Sequence, residues 1–282
     1  MILENTIRYA SKLLKKHNIR SHELDAEIIL SNIMGVSKEY LIINGNIDIS
    51  SEIEKIYIDA LNRRINNEPV AYITGKKEFW SENFVVNRST LIPRPETELL
   101  IYKVVDYFKY KSVNMLDIGT GAGCLLLSIL KELPLSRGTG IDISARAIKI
   151  AKINSKNLNL NNRSRFKVFD LNKFVTGKYD LIASNPPYIP SKDIKNLCED
   201  VTKYEPHIAL NGGIDGLDLI KKVIYKSNIL LKTSGMLALE IGYGQYRRVS
   251  AILKQNKFKE YSKIYDHKSN VRCIISTKID VY

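Results

Sequence analysis

Apolar positions along the chain change their period twice, and each change predicts a change of architecture. From Leu3 to about residue 70 they recur at helical spacing. Leu3, Ile7, Ala10 and Leu14 share one face, and Leu24, Ile28 and Ile29 run to a stop at Gly35. Ile53, Ile56, Ala60 and Ile65 follow a capping box of Ser51 and Glu54. Asn66-Asn67-Glu68-Pro69 ends that helix, because proline lacks a backbone N–H and its ring crowds the preceding turn. Amphipathic pieces of this kind bury their stripes against one another, so residues 1–70 predict a small N-terminal helical bundle. Over 71–95 the pattern shortens. Phe79, Trp80, Phe84, Val85 and Val86 lie around the polar turn Ser81-Glu82-Asn83, predicting a linking β-hairpin that Pro93 and Pro95 close.

From 96 to 282 helical and strand patterns alternate. Leu99 to Phe108, Leu125 to Leu133 and Ala145 to Leu158 read as helices. Val113 to Ile118, a stretch ending at Gly140-Ile141-Asp142-Ile143, Phe166 to Phe169 and Tyr179 to Ala183 read as strands. A long loop leads to a helix over 216–231, a strand from Met236 to Ile241 and a helix from Tyr246. Two last strands near 258–265 and 271–276 have no helix between them. Such alternation predicts an α/β fold, a mostly parallel, doubly wound, Rossmann-like sheet covered on both faces, with an antiparallel hairpin at one edge.

Charge adds one feature to this picture. The chain carries 43 basic and 30 acidic residues, a net charge of +13. That excess suits a polyanionic partner. The basic residues are nevertheless scattered, as in Lys15-Lys16, Arg63-Arg64, Lys76-Lys77 and Lys221-Lys222, so a generally basic solvated surface accounts for them as well. Cys124, Cys198 and Cys273 are odd in number, far apart and form no Cys-x-x-Cys pair, which argues against a disulfide framework or a zinc site; no metal is expected. No apolar run reaches the length of a membrane span, and the first residues show helical spacing rather than the continuous apolar block of a secretory signal. A cytoplasmic protein without a membrane partner is expected.

The densest chemical signal is Asp117-Ile118-Gly119-Thr120-Gly121-Ala122-Gly123, between the first strand of the alternating region and its helix. Glycines suit a tight turn that a ligand must approach without meeting a Cβ, and in doubly wound sheets ligands lie beyond the C-terminal strand ends, where this loop falls. Asp117, before the glycines, would oppose a pyrophosphate but could pair with the ammonium of a methionine-derived cofactor. Asp142 closes the second strand, where a carboxylate can accept from ribose hydroxyls; capping the next helix is the other role open to it, although Ser144 is better placed. Asp170, at the third strand's end, could face an adenine amino group or cap Leu171-Asn172-Lys173.

Ser184-Asn185-Pro186-Pro187-Tyr188 follows the fourth strand, which lies beside the first in the usual order of such sheets. A rigid proline turn with Asn185 extended is one reading. The other is chemical. The Asn185 side-chain oxygen and the Pro186 carbonyl can accept both hydrogens of one planar NH2 group, drawing its lone pair out of conjugation. Tyr188 offers an aromatic face on which a planar amide or base can stack. Orientation would supply most of the rate, since methyl transfer needs an in-line approach.

The glycine loop followed by Asn-Pro-Pro-Tyr resembles methyltransferases that act on glutamine amides and on the exocyclic amines of bases. More closely, nearly the whole chain resembles the bacterial release-factor glutamine methyltransferases, the PrmC/HemK type. The blocks that carry this are Glu68-Pro69-Val70-Ala71-Tyr72-Ile73-Thr74-Gly75, Glu78-Phe79-Trp80 and Leu91-Ile92-Pro93-Arg94-Pro95-Glu96-Thr97-Glu98. Tyr204-Glu205-Pro206, Ala209-Leu210, Asp215-Gly216-Leu217, Leu239-Glu240-Ile241-Gly242 and Asn270-Val271-Arg272 continue it. The resemblance implies a class I methyltransferase domain over 96–282, a hairpin linker over 71–95 and a substrate-docking domain over 1–70. It implies S-adenosylmethionine held by Gly119, Thr120, Gly121, Ala122, Gly123, Asp142 and Asn185, with Asp170 and Leu171 near the adenine. Leu171 departs from the aromatic residue often found there. It further implies a glutamine held at Asn185, Pro186, Pro187 and Tyr188, with Asn185, Pro186 and Tyr188 serving the transfer. The acceptor so implied is the Gly-Gly-Gln glutamine of class I peptide-chain release factors, with no requirement for direct nucleic-acid binding. Two other readings stand beside it. A nucleic-acid adenine or cytosine amino methyltransferase shares Asn-Pro-Pro-Tyr but lacks a basic, aromatic-rich recognition domain. A nicotinamide-dependent oxidoreductase leaves Asn-Pro-Pro-Tyr unexplained.

Overall fold

A computed structural model describes residues 2–173 and 177–279. Packing divides it into two compact units. One comprises residues up to Lys76 together with Cys198–Tyr204, and the other comprises Lys77–Leu197 and the chain from Glu205 onward.

The first unit is helical: α1 (Leu3–Lys16), α2 (His22–Met34), α3 (Lys38–Ile43), α4 (Ser51–Ile65) and α5 (Val70–Thr74). Leu3, Ala10, Leu14, Ile29, Leu30, Tyr57 and Leu61 form its core. Gly35 ends α2 in the left-handed conformation (φ 67°), where glycine is unstrained. Two sequence expectations shift. The cap of α4 is Ser50, one residue before the expected Ser51, and its hydroxyl accepts the Ile53 N–H. Leu24 and Ile56, read as core, are 46% and 48% exposed. Their helices instead turn inward the buried Asp25–Arg64 ion pair, at 2.7 Å, and Tyr57, whose hydroxyl donates to the Ala26 carbonyl at 2.9 Å. A charge pair satisfied inside the bundle has overridden simple apolar periodicity. The short α9 (Glu199–Tyr204), drawn from far along the sequence, completes this unit. The Asn67 amide donates to Glu199, and the Tyr204 hydroxyl donates to the Asn66 carbonyl at 2.8 Å.

A two-stranded ribbon, β1 (Lys76–Phe79) and β2 (Glu82–Val85), precedes the main sheet. Its turn is Trp80-Ser81, one residue earlier than expected, and both residues have positive φ (50° and 56°), as a two-residue hairpin turn of the right twist requires. Trp80 tolerates this because it is held at both ends: its backbone N–H donates to Glu98 and its indole N–H to Glu132, each at 2.8 Å.

The main sheet has seven strands: β3 (Asn114–Ile118), β4 (Arg137–Asp142), β5 (Ser164–Val168), β6 (Tyr179–Ser184), β7 (Leu231–Glu240), β8 (Phe258–Tyr265) and β9 (Val271–Lys278). Their order is β5-β4-β3-β6-β7-β9-β8. All pairs from β5 to β7 are parallel, while β9 runs antiparallel to both β7 and β8. Helices α6 (Pro95–Phe108), α7 (Cys124–Glu132), α8 (Ala145–Asn157), α10 (Asp218–Leu230) and α11 (Tyr246–Gln255) make the crossovers and flank the sheet. The mostly parallel, doubly wound sheet with an antiparallel edge expected from the alternation is therefore present. One strand is longer than expected: β7 starts at Leu231 rather than Met236.

The chain winds outward from β3 in one direction through β4 and β5, then returns to the other side of β3 with β6. That reversal leaves a crevice at the C-terminal ends of β3 and β6. Register pairs Ile118 with both Ile141 and Ser184, and the Ser184 hydroxyl donates to the Ile118 carbonyl at 2.7 Å. The glycine loop, Asp142 and Asn185 thus leave three adjacent strands at one edge.

Candidate active site

A cavity of about 270 Å³ opens at this edge. Gly119 (φ 74°) and Gly121 (φ 55°) line it, and a Cβ built on either meets no atom within 4 Å. Both glycines therefore supply left-handed backbone and an uncovered peptide surface. Gly119 and Thr120 donate their N–H groups to the Ile141 carbonyl, which fastens the turn to β4. The loop's other residues support it from behind. Thr120 is buried and donates to Asp117 at 2.6 Å, and the Ala122 carbonyl accepts from Asn154 at 2.9 Å. Gly123 begins α7 with φ 82°, and a Cβ there would lie 3.1–3.3 Å from Leu127, Phe166 and Ala151. Of the five loop residues predicted to hold the cofactor, two face the cavity and three shape the loop.

Asp142 lines the cavity. One carboxylate oxygen accepts from Gly121 N–H at 2.9 Å and the other from Ser144 N–H at 2.8 Å. Burial pushes its carboxyl up, and the N–H groups of Ser144, Gly121 and Ile143 oppose that shift. Three N–H groups leave the carboxylate with acceptor capacity to spare. Ser144 caps α8, accepting the Ala147 N–H, so Asp142 is not that helix's cap. Asp117 differs from expectation: it is 1% exposed, its carboxylate is taken up by the Thr120 hydroxyl, and it does not line the cavity. Burial pushes its carboxyl up to about 7, against the pull of the Thr120 hydrogen bond.

Asp170 and Leu171 both line the cavity. One Asp170 oxygen accepts the Asn172 backbone and side-chain N–H groups, both at 2.9 Å, so the residue caps a turn and faces the cavity at once. Phe169, which sequence reasoning missed, shares the wall with Leu171 and supplies an aromatic surface. The two-residue period of extended chain, which puts 169 and 171 on one side, was the available signal. Ile118, Ile141, Ile143 and Leu219 make the wall largely apolar.

On the opposite side stand Asn185 and Pro187, while Pro186 is buried. The Asn185 NH2 donates to the Thr97 hydroxyl at 3.1 Å, and Thr97 donates to Glu240 Oε2 at 2.6 Å. The Tyr188 hydroxyl donates to Glu240 Oε1 at 3.3 Å and accepts from Arg272 at 3.1 Å, whose guanidinium lies 5.6 Å from the centre of the Tyr188 ring. Burial raises the Tyr188 hydroxyl well above its ordinary value. Thr97, Glu240 and Arg272 appeared in the sequence only as parts of resemblance blocks without a role. A lone acid closing the apolar run Met236-Leu237-Ala238-Leu239 was the one local clue. Among the described residues, no group of three or more His, Cys, Asp or Glu side chains is placed to hold a metal, and no helix is long and apolar enough to cross a membrane.

Comparison with known proteins adds to this geometry. Residues 5–75 match the family model of the PrmC N-terminal domain, and 95–213 match that of the methyltransferase small domain. The release factor glutamine methyltransferase of Clostridium acetobutylicum is 38% identical over 264 residues, covering 92% of each chain. The protein of that description from Caulobacter vibrioides is 35% identical over 274 residues, covering 95% of this chain and 94% of its own. Among solved structures, a methyltransferase from Pyrococcus furiosus superposes with a TM-score of 0.52 at 16% identity, covering 79% of this chain and 99% of that one, which is a likeness of fold.

Proposed function

The chain belongs to the release factor glutamine methyltransferase family, and from that premise we propose that it methylates the side-chain amide nitrogen of the Gly-Gly-Gln glutamine in class I peptide-chain release factors, with S-adenosylmethionine as donor. The observation that carries the reading is the commitment of the Asn185 NH2 to Thr97 in a residue that lines the cavity. Its remaining polar atom, Oδ1, can only accept, and a primary amide is a donor of two N–H bonds.

The cavity residues fit the donor. Asp142 keeps lone pairs for vicinal hydroxyls, the apolar wall with Phe169 and Leu171 suits an adenine ring, and Gly119 and Gly121 leave backbone free of side chains. When bound, the donor supplies an electrophilic methyl on a sulfonium. The protein's part is orientation. Asn185 Oδ1 and the Pro186 carbonyl hold the two amide hydrogens, which turns the nitrogen lone pair out of conjugation and toward the methyl. These neutral oxygens polarise the N–H bonds without themselves acting as bases; the new N–C bond would replace the donor's S–C bond, leaving a neutral thioether, and the amide proton would pass to water. A poor nucleophile needs this preorganisation, and effects of this type supply several kcal/mol in enzymes generally, on the order of 10²–10³ in rate for each well-placed polar group.

The test offers intact release factor and unmethylated DNA and RNA side by side, with methyl-labelled S-adenosylmethionine and mass spectrometric localisation. Label on the Gly-Gly-Gln glutamine alone is expected. Label in nucleic acid with none on that glutamine would overturn the proposal.

A further inference from the structure

The hydrogen-bond chain behind Asn185 has a direction, set by a group that can only accept. Glu240 ends β7 with no exposed surface. Two hydroxyls converge on its carboxyl, Thr97 on Oε2 and Tyr188 on Oε1, and Arg272 stands behind Tyr188, so both of its oxygens serve as acceptors. Thr97 therefore commits its one hydroxyl proton to Glu240 Oε2, the shorter contact at 2.6 Å. The Thr97 oxygen is then an acceptor toward Asn185, 3.1 Å away. The two orientations of an asparagine amide have nearly the same shape, but only the one with NH2 toward Thr97 satisfies that acceptor. Across the carboxyl, Tyr188 donates to Oε1 and accepts from Arg272, which brings a cation close to the buried acid. Burial raises the Glu240 carboxyl on balance, with Glu96 adding to the rise and the Thr97 hydrogen bond, the Arg272 charge and the Tyr188 hydroxyl opposing it in part.

We infer that Thr97 and Glu240 are positioning residues: a buried acceptor, acting through one hydroxyl, fixes Asn185 with Oδ1 toward the cavity and so makes the site selective for acceptors that bear N–H bonds. The inference rests on the proposed role of Asn185. The three side chains are separated by 88 and 143 positions and come from α6, the end of β6 and the end of β7. Reversing the amide would present NH2 to the substrate, which repels a primary amide's hydrogens and favours an oxygen acceptor.

Three variants of the full-length protein test this. Thr97→Val keeps the side chain's shape and removes the hydroxyl, Thr97→Ser keeps the hydroxyl, and Glu240→Gln keeps the shape but allows either polarity. Turnover on release factor should fall about 100-fold in Thr97→Val and about tenfold in Glu240→Gln, the scale of a misplaced orienting group. Cofactor affinity by calorimetry should stay unchanged, and Thr97→Ser should restore most of the turnover. A second readout does not depend on the acceptor. With 15N-asparagine labelling, the Asn185 side-chain hydrogens should exchange with solvent about tenfold faster in Thr97→Val than in wild type, as expected for a lost hydrogen bond. Wild-type turnover in Thr97→Val, equal loss in Thr97→Ser, or unchanged Asn185 exchange in Thr97→Val would overturn the inference. A wild-type protein that leaves release factor unmethylated while the exchange difference persists would instead remove the proposed substrate and leave the relay standing.

Discussion

The two sides of the cavity are held by different kinds of structure. The glycine side is local: Gly119 to Gly123 is fastened by the Ile141 carbonyl, Thr120 and Asp142, all within about one strand and turn of the sheet. Its essential groups are backbone atoms, and a side chain matters there mainly by being absent. The acceptor side is assembled at long range. Asn185 depends on Thr97 and Glu240, and Tyr188 depends on Glu240 and Arg272. Binding a large, many-contact cofactor tolerates small displacements, whereas aiming one lone pair does not. The side to which the proposed function gives the aiming is the one braced by buried side chains from several elements.

Substitutions can break this contrast in graded ways. The largest effect is expected at Asn185. Asn185→Ala should lower kcat by on the order of 10²–10³, the cost of losing a preorganised polar group at the reacting atoms, while calorimetry shows a much smaller loss of cofactor affinity. Equal losses in both would dissolve the division between the sides. Asp142→Ala should do the reverse and weaken S-adenosylmethionine binding by about 1–3 kcal/mol, the range for hydrogen bonds to a charged group. Unchanged affinity would remove the ribose assignment.

Within the glycine loop the contrast sharpens to two residues apart. Gly123→Ala places a Cβ against Leu127, Phe166 and Ala151 in left-handed backbone, so chemical denaturation should show a loss of about 1–3 kcal/mol of stability. Gly121→Ala meets open space and should lose only about 1 kcal/mol from its positive φ, with the added methyl registering instead as weaker cofactor binding.

The smallest effect concerns Asp117. A carboxyl raised by folding binds an extra proton in the native state, so stability declines as pH rises from 3.8 to about 7 and levels off above. Asp117→Asn should flatten that slope, narrowing the difference between urea midpoints measured near pH 6 and near pH 8 by the equivalent of roughly 1 kcal/mol. An unaltered slope would show that Asp117 does not titrate in this window.

The same contrast decides what was legible in the sequence. Alternating periods yielded the parallel sheet, its antiparallel edge and the helical N-terminal unit, because a strand or helix records its burial in its own residues. The meeting of the glycine loop, Asp142 and Asn185 at one cavity was legible because each sits at a strand end whose position follows from the topology. Thr97, Glu240 and Arg272 were not, since no local pattern says that a threonine on one helix will meet a glutamate far away in sequence. Asp117 was misplaced for a related reason: a strand end gives a residue's position, but its neighbour Thr120 decided where the carboxylate points. Ser50, Leu24 and Ile56 show the limit of periodicity in the helical unit, where the buried Asp25–Arg64 pair decided which face turned inward.

In the proposed function Asn185 Oδ1 faces the cavity and holds the acceptor amide. A crystal structure of the protein with S-adenosylhomocysteine and a peptide containing Gly-Gly-Gln tests it most directly. The glutamine side-chain nitrogen is expected within about 3.2 Å of Asn185 Oδ1, hydrogen-bonding distance, with the Asn185 NH2 still on Thr97. A glutamine amide bound elsewhere, or an Asn185 turned with its NH2 toward the peptide, would contradict it.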